Sequence, residues 1–268
     1  MILRPHNLLR HENSRTISAW DAVARSQRAL AGSYLLVRQP DHARLAGELA
    51  RHVHITGRPE ITDDIIQGIS LHDEGWLAFD SGTEKLQATP ARYSGDVPLS
   101  SDGKPLSFLD IKAGDFLHAW RGSIDAAEAI TPMAGLIVSG HFYRLGKFGI
   151  SNGHYSGPDA ALIQQFLHEE ECRRERLSQL GSRSADEIEY WTDLLQFCDL
   201  LSLYLCCGSE EPVQFPQPIG VTGEAVVLDL KDGRNVRLSS VFARPAKFTL
   251  AAHSFPQRTC ATLDWQVS

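Results

Sequence analysis

Apolar residues recur every three or four positions through most of the stretch from residue 40 to residue 208, which is the spacing of one face of an α-helix. Prolines at the first helical turn and threonines at N-cap positions mark several starts. The pattern predicts helices that begin at Pro40, after Thr62 and after Thr131, one over 113–130, and two long ones over about 158–180 and 185–207.

Two stretches inside this region lack the helical period. Residues 81–112 are rich in Gly, Pro and Ser and predict a long loop that covers part of the helical body. Residues 146–158 carry four glycines and predict a glycine-rich loop after the helix that follows Thr131.

The pattern changes after Gly208 to short runs in which apolar and polar residues alternate, which is typical of strands. Residues 224–242 predict a β-hairpin around Lys231-Asp232-Gly233, and "KFTLAAHSF" and "ATLDWQV" predict further strands. The short strand over 33–38 is a candidate to join them. The sequence therefore predicts a mainly α protein, a helical bundle with a small C-terminal antiparallel β appendage, divided into 1–33, 34–208 and 209–268.

Composition narrows the class of protein. The 268 residues have 43% hydrophobic and 22% charged content and a formal net charge of −7. This charge, without a concentrated basic patch, argues against nucleic acid as a partner. No apolar run is long enough for a membrane span, and the N-terminal residues do not resemble a secretory signal. The five cysteines lack CxxC spacing, so we expect buried thiols in a reducing, cytoplasmic compartment.

Candidate chemistry lies on the apolar stripes of four predicted helices. Each of these stripes contains a His or an Asp: His42 on the first, the His72-Asp73 doublet on the second, His141 on the next and Asp199 on the last. His118, by contrast, lies off the stripe of its own helix and is expected to face solvent.

Taken singly, each of these residues has an ordinary structural explanation, because a lone histidine on an apolar face is usually a hydrogen-bonded core residue. A buried carboxylate such as Asp199 is harder to explain, since burying an ionised carboxylate without a partner costs roughly several kcal/mol. One divalent cation accounts for all five side chains together by turning that cost into coordination energy. The set therefore predicts a metal site made by His42, His72, Asp73, His141 and Asp199.

The order of these residues resembles the metal ligands of the HD-domain superfamily of metal-dependent phosphohydrolases. The matching positions are His42, the doublet His72-Asp73 and Asp199, and the resemblance spans about 34–208. Several branches of that superfamily place extra histidines between the doublet and the last Asp, where they hold a second metal or meet the substrate. His141 occupies that interval here. The phrases "QPDHARLAGELA", "LHDEGW", "FLDI" and "DLLSLYLCCG" also resemble a bacterial family of uncharacterised function.

The resemblance implies an HD-domain-like bundle and the chemistry of a metal-activated water. Imidazole and carboxylate ligands without thiolate suit Mn, Fe, Co, Ni, Mg or Zn. Asp73 or Glu74 is then the candidate general base, and Arg144 and Lys147 are candidates to stabilise charge that develops on a phosphoryl group.

Three functional hypotheses follow. The first is a hydrolase for a phosphate ester or nucleotide, whose partner is a small phosphorylated molecule. The second is a di-iron oxygenase, because some members of the superfamily use the His-Asp scaffold to activate dioxygen. The third is a non-catalytic metal-binding or ligand-binding protein. The sequence leaves the oligomeric state open, with a homodimer among the options.

Overall fold

Helices make up most of the chain in the computed structural model, which describes residues 1–6, 16–54, 58–180, 183–215, 227–228, 235–236 and 245–267. The mainly helical prediction is thereby confirmed. The α-helices are α1 (Ala19–Arg28), α2 (Gln39–His52), α3 (Asp63–Leu71), α4 (Leu77–Asp80), α5 (Ala113–Glu128), α6 (Pro132–Ser151), α7 (Gly157–Ser178) and α8 (Ala185–Cys207). Short 3₁₀ helices cover Glu74–Trp76 and Phe108–Asp110.

The strands are short except for the last two. They are β1 (Ile2–Pro5), β2 (Ile17–Ser18), β3 (Tyr34–Val37), β4 (Arg92–Ser94), β5 (Val97–Leu99), β6 (Val213–Gln214), β7 (Val227–Leu228), β8 (Asn235–Val236), β9 (Ala246–Phe255) and β10 (Cys260–Val267). The largest sheet has the order β1-β3-β9-β10-β8, in which β9 and β10 form an antiparallel pair. The predicted C-terminal antiparallel sheet is therefore present, and β3 joins it as expected.

The N-terminal residues take part in the same framework. β1 pairs antiparallel with β3, from Ile2 opposite Val37 to Pro5 opposite Tyr34. α1 packs against α8 and β1. The strand β9 contacts α2, where Phe248 meets the ring of His52 edge to face. The sheet thus packs on the helical body through α2, while the division of the chain at residues 33 and 208 stays a prediction.

Four helices, α2, α3, α6 and α8, pack on one another and surround the site described below. Glycines in α2 and α3 allow these helices to pack closely against their neighbours. A Cβ at Gly47 of α2 would lie 1.9 Å from the Ser70 hydroxyl of α3, and one at Gly68 of α3 would lie 3.1 Å from the Ala134 Cα of α6. α3 is therefore held tightly between α2 and α6.

Two loop predictions need correction. The glycines after the middle of α6 do not end it, because the helix continues to Ser151. Gly146 and Gly149 instead leave room for side chains of the next segment: a Cβ would lie 3.1 Å from Leu167 and 2.3 Å from Tyr155, respectively. The stretch 81–112 contains the β4–β5 hairpin, whose Val97 packs on Leu3 and other residues of the sheet.

The hairpin predicted around residues 231–233 lies largely outside the described residues. In its described parts, β7 pairs with β6 and β8 pairs in parallel with β10. Within the described chain, no helix combines the length and the apolar character needed to cross a membrane.

Candidate metal centre

The five predicted side chains enter the centre of the bundle from three helices and from the turn that follows α3. His42 lies in the first turn of α2, whose start is fixed because the backbone N–H of Gln39 donates to Asp80 Oδ2 at 2.7 Å. His141 and Asp199 lie in the interiors of α6 and α8. The stripes predicted from the period therefore face inward, and His42, His72 and His141 are each at most 2% exposed.

The doublet lies where α3 gives way to the next turn of chain. His72 is the C-cap of α3, and Asp73 precedes the 3₁₀ helix Glu74–Trp76. Gly75 then contacts α5 so closely that a Cβ would lie 1.9 Å from the carbonyl oxygen of Ala119. Its N–H donates to the Ser123 hydroxyl at 3.0 Å. This contact, which only glycine permits, anchors the turn that carries Asp73.

The ligand-type atoms converge. Nε2 of His42 lies 2.7 Å from Oδ2 of Asp73, and Nε2 of His72 lies 3.9 Å from the same oxygen. Nε2 of His72 is also 3.2 Å from Oδ1 of Asp199. One such atom from each of His42, His72 and Asp73 falls within 4.8 Å of the others. His141 joins through its Nε2, 3.7 Å from Oδ2 of Asp199.

The orientation of His72 tests whether a cation fits. Its Nδ1 is 2.7 Å from the carbonyl oxygen of Ile69, which can only accept, so Nδ1 carries a proton. Nε2 therefore turns an unprotonated lone pair toward the carboxylates of Asp73 and Asp199 unless a proton or a metal ion lies between them. Two carboxylates also match the charge of a divalent ion, so the residues present fit such an ion.

The pKa values follow from the same contacts. Burial of the His72 ring opposes its protonation, but the hydrogen bond to Asp199 and the charges of both carboxylates outweigh burial and raise the pKa to about 9. Burial also opposes ionisation of Asp199, yet the hydrogen bond from His72 and the nearby imidazoles lower the pKa of Asp199 to about 2. The metal-free cluster is thus balanced in part by a proton on His72.

His141 differs from the other two imidazoles. Burial of its ring lowers its pKa to about 4, against the attraction of Asp199, so the ring is neutral near pH 7. Its Nδ1 is buried and has no hydrogen-bond partner among the described residues. The neutral ring therefore offers Nε2, which lies 3.7 Å from Asp199, to a ligand, while its buried Nδ1 still needs a partner.

A protein-family model described as "Protein of unknown function (DUF3891)" matches residues 27–255. The chain belongs to this family. The DUF3891 match includes all five residues of the cluster, together with Glu74, Arg144 and Lys147. No curated protein and no solved structure matches the chain.

The other predicted site residues of this DUF3891 chain lie outside the cluster. The Glu74 carboxylate pairs with Arg44, whose Nη2 is 3.2 Å away. Arg144 follows His141 on α6 and donates to Asp193 and Gln196, both at 2.7 Å, and to Glu189. Lys147 is exposed, and its ammonium lies 5.2 Å from the ring centroid of Tyr143. The structure thus brings the five ligand candidates together, whereas these three side chains contact residues outside the cluster.

Sequence reasoning missed several residues that shape the site. Ser202 lies on the same helix as Asp199, three residues later, and its hydroxyl contacts His42. Asp80 fixes the start of α2, and Asp115 holds the loop before α5 by accepting from the backbone of Gln87 and Thr89, both at 2.7 Å. The position of Asp115 in the first turn of α5 could have indicated that it binds backbone N–H groups. No neighbouring residue in the sequence indicated that Asp80 binds the start of α2.

Proposed function

We propose that this protein is a metal-dependent hydrolase that acts on a phosphate ester or nucleotide, with an HD-type site. The proposal rests on one observation: imidazoles and carboxylates from three helices and from the turn after α3 meet, with Nε2 of His42 and His72 directed at carboxylate oxygens. The order of the residues and the helical surroundings agree with the HD resemblance.

A divalent ion held by His42, His72, Asp73 and Asp199, with His141 beside them, would lower the pKa of a water molecule and polarise a phosphoryl oxygen. The side chains of the cluster would fix where the ion binds and from which side a substrate can reach it. Asp73 and Asp199 are the more exposed members of the cluster, with 10% and 14% of their side chains accessible, whereas the His42 and His72 side chains are fully buried. Substrate and water are therefore proposed to approach from the carboxylate side.

Proton transfer is proposed for Asp73 or Glu74. Asp73 is in the cluster, and Glu74 follows it in the chain with a quarter of its side chain accessible. Glu74 is held by Arg44, which also pairs with Asp41 at 2.7 Å, so its carboxylate has a fixed position at the rim. A carboxylate held near the reacting water is the arrangement that general base catalysis requires.

Positive charge near the transferred group is proposed to come from Arg144 rather than from Lys147. Arg144 is one helical turn beyond His141, and its charge is the smallest of the named causes of the lowered pKa of that ring, which supports the proposal that this charge acts on the cluster. Its guanidinium is shared with Glu189 and Asp193, so a substrate phosphate has to compete with two carboxylates. Lys147 is another turn further along α6 and packs over Tyr143.

The experiment is phosphate release from a panel of nucleotides and phosphomonoesters, measured with purified protein, added manganese and a metal count for each preparation. Activity that is lost in Asp199→Asn supports the proposal. A silent panel with metal bound at full occupancy would favour the non-catalytic alternative. Two irons per chain with iron-dependent visible absorption would favour the oxygenase.

A further inference from the structure

The hydroxyl of Ser202 joins two of the proposed metal ligands. Ser202 is fully buried on α8, three residues after Asp199. Its Oγ lies 2.8 Å from the backbone carbonyl oxygen of Asp199 and 2.9 Å from Nδ1 of His42. The contact crosses from α8 to α2, so it links the chain segments that carry the first and the last ligand.

The direction of these two hydrogen bonds follows from their donors and acceptors. The carbonyl oxygen of Asp199 can only accept, so the single hydroxyl proton of Ser202 points to it. Ser202 Oγ is then an acceptor toward His42, and the proton between them belongs to Nδ1 of His42. The tautomer of His42 is thereby set, with Nε2 left to face Asp73 Oδ2 at 2.7 Å.

The two histidines reach the same tautomer by different means. His72 donates its Nδ1 proton to Ile69, within the last turn of its own helix. His42 lies in the first turn of α2, and its Nδ1 contact comes from α8. The Ser202 hydroxyl therefore accepts the Nδ1 proton of His42, as the backbone carbonyl of Ile69 accepts the Nδ1 proton of His72.

We infer that Ser202 is a positioning residue that fixes the Nδ1 proton of His42 and directs its Nε2 to the metal. The inference rests on the proposed metal site. Groups that hold the second nitrogen of a metal-binding histidine typically change metal affinity by about 10- to 100-fold when they are removed. Ser202 acts through His42 and is not itself placed at the reacting atoms.

A matched residue on the same helix separates this role from ordinary helix packing. Thr192 is also fully buried on α8, and its hydroxyl donates to the Ile188 carbonyl oxygen at 2.8 Å. Ser202→Ala and Thr192→Val each remove one buried hydroxyl from α8. Ser202→Thr keeps the hydroxyl and serves as the conservative variant.

The test is titration of the metal-free full chain with Co²⁺, followed by visible absorption, for the wild type and these three variants. We expect Ser202→Ala to bind Co²⁺ about 10- to 100-fold more weakly. The Co²⁺ affinities of Ser202→Thr and Thr192→Val should stay within about threefold of the wild-type affinity. Loss of a hydrogen bond to a metal ligand would change the affinity by more than that. Circular dichroism of each metal-free variant checks folding.

Nitrogen-15 NMR of the His42 ring in the zinc-loaded wild type tests the same inference without a substitution, and so decides the case where Ser202→Ala does not fold. A proton on Nδ1 supports the inference, and a proton on Nε2 overturns it. Unchanged Co²⁺ affinity in Ser202→Ala, or equal weakening in Thr192→Val, overturns it as well and leaves the metal site standing. A wild type that binds neither ion overturns the metal site and the role of Ser202 together.

Discussion

Nε2 of His42 lies 2.7 Å from Oδ2 of Asp73, although the two residues are 31 positions apart and lie on separate elements. With the Nδ1 proton of His42 held by Ser202, this contact sets a lone pair against a carboxylate oxygen, which is unfavourable without an intervening positive charge. Nε2 of His72 lies 3.2 Å from Asp199, and a proton on this ring fills the gap in the metal-free protein. One shared cation would replace that proton and would relieve the contact at His42, so removing the ligands one at a time tests the assignment.

We expect His72→Ala and Asp199→Ala to lose bound metal, because each removes a ligand. Removing a residue outside the coordination sphere typically weakens metal binding by about 10- to 100-fold, and the loss here should be larger. His118→Ala is the control, since that side chain is 63% exposed and lies 3.6 Å from Glu84 at the surface. Elemental analysis of protein purified without chelator measures the outcome. Equal metal content in all three variants would refute the assignment.

Asp199→Ala also removes a largely buried carboxylate from the middle of α8, so its folding needs a separate check. Asp199→Asn keeps the shape of the side chain while removing its charge. We expect it to fold as the wild type does, by circular dichroism, and still to lose metal. Retention of metal by a folded Asp199→Asn protein would assign Asp199 a structural role.

Metal binding should depend on pH because the pKa of His72 is raised to about 9 in the metal-free protein. Below that pH the ring is protonated, and the proton has to leave before Nε2 can bind a metal ion. His141, with a pKa of about 4, and Asp199, with a pKa of about 2, have already lost their protons at neutral pH. Apparent affinity should therefore rise by roughly tenfold per pH unit up to about pH 9 and then level off.

Calorimetry in two buffers with different ionisation enthalpies measures the protons released. We expect His72 to contribute about one proton per bound ion near pH 7.5. The His118→Ala variant should behave as the wild type does. An affinity that stays constant from pH 7 to pH 9, with no proton release, would contradict a metal bound through Nε2 of His72.

The helical body could be predicted from the sequence because apolar residues on buried faces fix the helical period. α5, α7 and α8 lie within a few residues of their predicted limits, and Thr131 caps α6 as expected. The length of α6 could not be predicted, because Gly146 and Gly149 resemble helix breakers until the neighbours that need their space are known. Glycine at a close contact and glycine in a loop look the same in one sequence.

The cluster itself could be predicted since polar residues on apolar stripes have to find partners in the core. What surrounds it depends on how the helices are rotated against one another, which one sequence does not contain. The pairing of Arg144 with Glu189 and Asp193, and of Ser202 with His42, arises from such contacts between helices. A serine inside a helix commonly bonds its own backbone, so Ser202 gave no sign of a second partner.

Gly75 should be intolerant of substitution. In Gly75→Ala the Cβ would lie 1.9 Å from the Ala119 carbonyl oxygen and 2.7 Å from the Ser123 backbone nitrogen, and neither backbone atom can move without shifting α5. We expect a loss of about 3 kcal/mol in the free energy of unfolding, the upper end of the usual cost of overpacking. Gly32→Ala is the control, because no described residue comes within 4 Å of a Cβ there.

Urea unfolding of the metal-free proteins gives both free energies. Metal affinity of folded Gly75→Ala protein should fall as well, since the turn that carries Asp73 is displaced with Gly75. Wild-type stability in Gly75→Ala would mean that the turn and α5 are further apart than the structure has them.

The role of Arg144 can be separated from that of Lys147 once a substrate is known. Arg144→Ala should lower kcat/KM by about 100-fold, the order of magnitude for loss of one group that stabilises developing charge, while Lys147→Ala should change it by less than about twofold. Stability should change little, because the Glu189 and Asp193 side chains are about half exposed (54% and 46%), and ion pairs at the surface contribute about 0–1 kcal/mol. Steady-state kinetics and thermal unfolding measure these two quantities.

Arg174→Ala is the matched control, because Arg174 also pairs with Glu189, at 3.4 Å, but extends from α7. It should leave kcat/KM unchanged. The double variant Glu189→Gln/Asp193→Asn releases Arg144 from both acids and should lower KM for a phosphorylated substrate, since the guanidinium no longer has to leave two carboxylates to reach it. If Arg144→Ala and Arg174→Ala have the same small effect, Arg144 only ties α6 to α8, and the charge that stabilises the reaction has to come from elsewhere in the site.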